Sequence, residues 1–232
     1  MLFGTIVNAG AVLAGTLLGC LVKKGLPERL KSTLMQALGL CTILIGILSA
    51  IETKDPLCVI VSMALGTLLG SAVGIEKGLG KLGSLAERLV SRDADTRDGA
   101  FGKAFVTSSL LFCVGAMSIV GSLESGLKGD HTTLLAKSVL DGVASIIFAS
   151  TLGPGVALSA MTVLVYQGGI TLASGVCAPA LSAAVINEMS AAGGLVVLGI
   201  GVNLLLDKKI RVGDMLPAIF LPLLYLLISG GF

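Results

Sequence analysis

Tryptophan is absent from the 232 residues, tyrosine occurs twice (Tyr166, Tyr225) and histidine once (His131). The aromatic belt that often marks where membrane helices meet water is therefore missing, and helix ends can be read only to within a few residues. Charge is scarce as well: 13% of residues are Asp, Glu, Lys or Arg, against about 25% in a soluble domain. The five cysteines (Cys20, Cys41, Cys58, Cys113, Cys177) are odd in number and form no CxxC pair. They lie in or beside apolar segments, which points to small packing residues rather than disulfides or metal ligands. No HExxH, GxSxG or P-loop pattern occurs, so no catalytic residue, metal or cofactor is expected, nor a nucleic-acid partner; the protein is read as no enzyme. Gly78-x-Gly80-x-x-Gly83 has the dinucleotide spacing but follows an apolar span with no strand before it, and is set aside as chance.

Apolar residues are what the chain has in abundance: 54% of it, with a mean hydropathy of +0.99. They fall in blocks of about 18–22 residues, each long enough to cross a hydrocarbon core of roughly 30 Å as a helix. The fold class expected is an all-α, polytopic integral membrane protein. Eight spans are read, at about 3–22, 32–51, 56–75, 103–123, 133–152, 156–173, 191–206 and 212–230. The first block begins at Met1 without a basic n-region and reads as a retained helix rather than a signal peptide. Segment 174–190 is apolar but short, broken by Gly175 and Pro179, and is expected to be interfacial or re-entrant rather than a ninth span.

Thirteen of the sixteen basic residues lie in three loops, 23–31, 76–103 and 207–211, which share one side of the membrane if there are eight spans. The positive-inside rule makes that side cytoplasmic and sends both termini outward. In the long loop, Ser84-x-x-Glu87 is a capping box opening a short amphipathic helix, SLAERLVSR, on the membrane surface. Polar residues 91–99 read as a linker.

Two stretches resemble each other: TIVNAGAVLA (5–14) and LVYQGGITLA (164–173), each with a carboxamide (Asn8, Gln167) followed by small residues (Ala9-Gly10, Gly168-Gly169). Further matches follow in order: Pro27 with Pro179, Gly39-Leu40-x-x-Ile43-x-x-Gly46 with Gly194-Leu195-x-x-Leu198-x-x-Gly201, and ETKD (52–55) with DKKI (207–210). Residues 1–75 thus resemble 160–232 as three-helix units, entering the membrane from opposite sides. Inverted units of this kind, interrupted by polar and glycine residues, point to a transporter-like site. The expected division is a first repeat unit 1–75, a cytoplasmic helix and linker 76–102, a transmembrane hairpin 103–155 and a second, inverted unit 156–232.

Polar groups inside hydrocarbon are costly unless paired or facing water. Lys137 and Asp141, four apart in the fifth span, share a helix face. Lys137 is expected to snorkel to the outer interface; Asp141, about 6 Å deeper at 1.5 Å per residue, is not able to. Asp141 reads as a cation or proton site or as a structural partner of Lys137, and it is the one acidic side chain expected deep in a span. Asn8 and Gln167 read as ligands for a polar solute or cation, or as interhelical glue. Gly10, Gly168 and Gly169 would let the backbone open beside them. Thr107, Ser108, Ser109, Ser145 and Asn203 are further candidate ligands. The stripes Gly15-TLL-Gly19 and Gly66-TLL-Gly70-SAV-Gly74 permit close helix approach, in the monomer core or in a homodimer seam, with core packing the expected role.

Four stretches, FVTSSLLFCVGAMSIVGSL (105–123), KSVLDGVASIIFASTLG (137–153), VYQGGIT (165–171) and KKIRVGDMLPA (208–218), together resemble an uncharacterised bacterial inner-membrane family, domain of unknown function 554, the YdfK/YqgA-like proteins. The resemblance implies a multi-pass protein of the bacterial inner (plasma) membrane and carries over no substrate or site residue. The function expected from the residues is a small secondary transporter or channel-like protein for an ion or small polar solute, embedded in the lipid bilayer. The alternative is a non-transporting scaffold that recruits partners through 84–99. A homodimer is expected by analogy with other small transporters, not from any residue.

Overall fold

The computed structural model describes residues 1–23, 27–90, 100–178, 181–206 and 210–229, and everything regular in them is helical. In chain order the helices are α1 (Phe3–Lys23), α2 (Glu28–Ala50), α3 (Pro56–Val73), α4 (Ile75–Val90), α5 (Ala100–Cys113), α6 (Ala116–Leu127), α7 (Thr132–Leu152), α8 (Ser159–Leu172), α9 (Ser174–Cys177), α10 (Ala183–Leu206) and α11 (Leu221–Ser229). A 3-10 turn, Pro154–Leu158, leads into α8, and a second, Val212–Ile219, precedes α11. A helix satisfies its own backbone hydrogen bonds, which hydrocarbon cannot do for it.

Among the described residues, six helices are long and apolar enough to cross a membrane: Phe3–Val22, Ser32–Ala50, Pro56–Val73, Thr132–Leu152, Pro154–Leu172 and Ala183–Leu206. The pair α5 and α6 makes a seventh if it counts as one bent span. The expected unbroken helix over 103–123 is corrected, because the chain bends by 60° between the two. Gly115 sits at the bend with φ +118°, a conformation open to glycine and hostile to other residues. Ser118 repairs part of the break by donating its hydroxyl to the Phe112 carbonyl at 3.0 Å. The segment expected as an eighth span is a shorter apolar unit, Val212–Tyr225, with Pro217 inside its 3-10 portion.

Two other boundaries move. Residues 183–190 belong to the 24-residue α10, so of the described residues in the stretch expected to be interfacial or re-entrant, the one-turn α9 with Ala178 and residues 181–182 stand apart from the spans. The amphipathic helix opens at Ile75 rather than at Ser84, immediately after Gly74 ends α3 in the left-handed conformation (φ +74°). Its start is held reciprocally: the Glu76 amide donates to Asp214 Oδ1 at 2.9 Å, and the Gly213 amide donates to Glu76 Oε2 at 2.7 Å. The Gly78–Gly83 spacing is wholly helical. The capping-box side chains Ser84 and Glu87, linker 91–99, Pro179 and residues 207–209 lie outside what is described.

Three helix seams build the body, and each is made by glycines. On α1, a Cβ at Gly15 or Gly19 would sit 2.3 Å from the carbonyl oxygen of Gly142 or Ile146 of α7. Between α2 and α10 the contacts cross over: Gly39 lies against Gly201, and Gly46 against Gly194. On α3, Gly66 and Gly70 lie against the backbone of Ala218 and Asp214, with a Cβ at Gly70 2.0 Å from the Asp214 carbonyl oxygen. Direct backbone contact of this kind replaces the hydrophobic effect as the adhesive where the surroundings are themselves apolar. The small-residue stripes therefore form internal seams, as expected from the sequence.

Gly70→Ala must displace backbone and should cost about 1–3 kcal/mol or more. Gly10→Ala meets no atom within 4 Å and should leave stability unchanged or raise it by up to about 1 kcal/mol through helix propensity. Denaturant unfolding in mild detergent separates the two; equal effects would contradict the seam.

Candidate functional site

Lys137 and Asp141 lie one turn apart on α7, which puts both on the face that α1 covers. The α1–α7 seam at Gly15, and Ala11 against Gly142, draws the helices together. Asn8, one turn before Ala11, is thereby brought onto Asp141. Helix α8 runs antiparallel to α1 here, since Gly168 faces Leu2 and Thr5, and it delivers Gln167 to the same point. All four side chains are buried: Asn8 and Gln167 at 0% exposure, Lys137 and Asp141 at 6%.

Chemistry fixes the direction of the hydrogen bonds. Lys137 Nζ donates to Asp141 Oδ2 at 2.5 Å. The carboxylate only accepts, so the Asn8 amide nitrogen must face it, and does so at 3.0 Å. The same nitrogen donates to Gln167 Oε1 at 3.2 Å. Asn8 has then used both amide protons while its Oδ1 has no partner, and Gln167 has used its oxygen while its Nε2 has none. The Thr5 and Thr171 hydroxyls, three residues before Asn8 and four after Gln167, are also buried without partners. Four of the six such atoms among the described residues thus lie on α1 and α8 around one contact. Buried polar atoms are normally paired, so their concentration singles this contact out among the described residues.

The expectation that Lys137 snorkels is corrected: it turns inward and forms the ion pair. The other acids show how unusual Asp141 is. Glu188 of α10, 2% exposed, accepts from the Lys54 and Asp55 amides at 2.7 and 3.2 Å and from the Thr53 hydroxyl. Asp214, 4% exposed, accepts from the Glu76 amide. Both meet backbone N–H groups at helix starts, where such groups lack intrahelical partners and the helix dipole favours a negative charge. Asp141, in contrast, is held by side chains alone, all of which can move. Glu188 is buried as well, but near the start of α10, where its partners belong to the 51–55 loop.

The remaining candidates separate. Gly10 and Gly169 are exposed and meet no atom within 4 Å, and α1 and α8 run unbroken through them, so the backbone does not open there. Gly168 is buried beside Leu2 and Thr5. Ser145 and Ser108 back-bond to their own helices, each at 2.7 Å, and Ser109 pairs with Thr162 at 3.1 Å; Thr107 is buried. Asn203 is engaged elsewhere, clamping Ile210 through both its amide groups at 2.8 Å. Among the described residues no three His, Cys, Asp or Glu side chains converge as metal ligands would.

A cavity of about 180 Å³ lies between α5, α6, α8, α10 and residues 216–220. Its walls are almost wholly apolar and include Leu110, Cys113, Val114, Tyr166 and Met189, with the unpartnered Ser190 hydroxyl among them. None of the four cluster side chains lines it, but Tyr166, the residue before Gln167 in α8, does. The sequence offered signals for Thr5 and Thr171 in their helical spacing from the two amides. It offered none for Glu188, whose partners are 133–135 residues away.

Removing one member of a buried pair strands the other charge. Asp141→Asn should therefore cost about 3–5 kcal/mol, and Lys137→Met/Asp141→Leu should recover most of it. Unfolding in detergent checks this, and a single variant as stable as the double would refute the burial of the pair.

Known proteins agree on the class. The family description "Protein of unknown function (DUF554)" matches residues 3–227. The chain is 36% identical over 226 residues to the "Uncharacterized membrane protein YdfK" of Bacillus subtilis (strain 168), covering 95% of this chain and 94% of that one. It is 32% identical over 223 residues to the "Uncharacterized protein YqgA" of Escherichia coli (strain K12), again covering 95% and 94%. No solved structure matches it. With its apolar helices and a membrane protein among its relatives, the chain is a multi-pass membrane protein, and it belongs to the DUF554 family.

Proposed function

We propose that this protein is a small secondary transporter or channel-like protein for an ion or small polar solute, with its site where α1, α7 and α8 meet. One observation carries the reading: an internally neutral cluster of Lys137, Asp141, Asn8 and Gln167, closed to solvent, with one amide acceptor and one amide donor left over. Asp141 is the exchangeable anion of the site and Lys137 its built-in counter-ion. A cationic group arriving at Asp141 competes with the ammonium, and the two amides can complete its coordination.

Two inverted units, 1–75 and 156–232, are part of the proposal, as is an inner-membrane location with both termini outward. A two-fold axis relating the units would put equivalent residues in contact crosswise. Gly39 and Gly46, the counterparts of Gly194 and Gly201, lie against Gly201 and Gly194 respectively. Asn8 touches its own counterpart, Gln167. These contacts support the symmetry, and a site on such an axis suits alternating access. The scaffold reading draws on α4, an amphipathic helix anchored to the body through Glu76 and Asp214.

Reconstitution into liposomes with a broad flux screen tests the reading. Flux should fall by at least about tenfold, equivalent to roughly 1.4 kcal/mol, in Lys137→Met/Asp141→Asn, which keeps the site neutral and folded. No flux of any ion or solute, or unchanged flux in that variant, would overturn it. Loss of a cellular phenotype on deleting 84–99, with the double variant silent, would favour the scaffold.

A further inference from the structure

The cluster contains one charge of each sign, and its two amides leave one acceptor, Asn8 Oδ1, and one donor group, Gln167 Nε2, without partners. This balance restricts what can enter. A lone cation taken by Asp141 would leave the Lys137 ammonium buried without a counter-charge, and a lone anion taken by Lys137 would strand Asp141; both are heavily penalised in low dielectric. A neutral solute would leave the ion pair as it is and use the amides only. A zwitterion replaces one ion pair by two without changing the net charge. Its ammonium takes the place of Lys137 Nζ at Asp141 Oδ2 and donates to Asn8 Oδ1. Its carboxylate accepts from the released Lys137 and from Gln167 Nε2.

The cavity that Tyr166 lines would supply the rest of the specificity. At about 180 Å³ it exceeds the roughly 150 Å³ in which an engineered apolar cavity holds benzene. Tyr166, adjacent to Gln167 in α8, lines it together with Leu110, Cys113, Val114, Ile119 and Met189. A group reaching from the charged cluster into this space must be compact and apolar. We propose that the site binds a zwitterion bearing a compact apolar side chain, in chemical class an aliphatic or aromatic α-amino acid. This names the solute of the transport site proposed above and rests on that reading.

The test uses the full-length protein in proteoliposomes and detergent, with calorimetric titration and thermal unfolding as readouts. The zwitterionic probes are L-valine, L-leucine and L-phenylalanine. The controls are L-leucinamide, which has only the positive charge, N-acetyl-L-leucine, which has only the negative one, the neutral 4-methylpentanamide, and glycine, which lacks the side chain. At least one of the three zwitterions should bind about tenfold or more tighter than every control, and Gln167→Leu should lose that binding. The wild-type comparison stands even if the variant misfolds. No binding by any of the three, or equal binding by any control, overturns the proposal. Flux of an ion or another solute without a response to these zwitterions overturns it too, while leaving the transport reading intact. Zwitterion binding without flux supports the ligand class and overturns transport.

Discussion

A lysine and an aspartate joined inside an apolar helix bundle impose conditions on everything around them. The pair is tolerable only if its residual hydrogen-bonding capacity is met and lipid is kept away. Asn8 meets part of that capacity, and it reaches Asp141 only because α1 lies directly on the backbone of α7 at Gly15 and Gly19. Helix α8 then closes the third side through the Asn8–Gln167 bond. The glycine seams, the antiparallel pairing of α1 with α8 and the burial of the polar cluster form one constraint seen at three scales.

The same chain solves the problem of buried acids in two ways, and the contrast bears on function. Glu188 and Asp214 are fixed by backbone amides, whose positions are set by the helices that carry them. Such contacts tie the 51–55 loop to α10 and α4 to the 212–219 turn, and they have no reason to open. Asp141 is bound by an ammonium on a flexible stem and by a rotatable amide. Its partners can be exchanged without unwinding a helix, as a site that takes and releases a solute requires.

Much of this was legible from residues alone. The long apolar blocks gave α1, α2, α3 and α7 nearly to their ends, because hydrocarbon leaves the backbone few alternatives to a helix. Asn8, Asp141 and Gln167 stood out because a polar side chain in such a block needs a reason. The burial of Lys137 comes from α1 lying across it, which position along a single helix does not reveal. Glu188 was hidden by partners distant in sequence. The bend at Gly115 was hidden because an apolar composition does not reveal a single glycine's φ. The early start of α4 followed from the reciprocal bonds of Glu76 with residues 213–214, again a long-range cause.

What separates a transport site from packing glue is whether water on each side of the membrane ever reaches it. The direct measurement is reaction of Gln167→Cys, in a background with the native cysteines replaced, with a small membrane-impermeant thiol reagent applied to oriented vesicles from one side and then the other. A site of alternating access reacts slowly from both sides, and fixing one side open by crosslinking abolishes reaction from the other. A folded protein that is labelled from neither side would contradict the account.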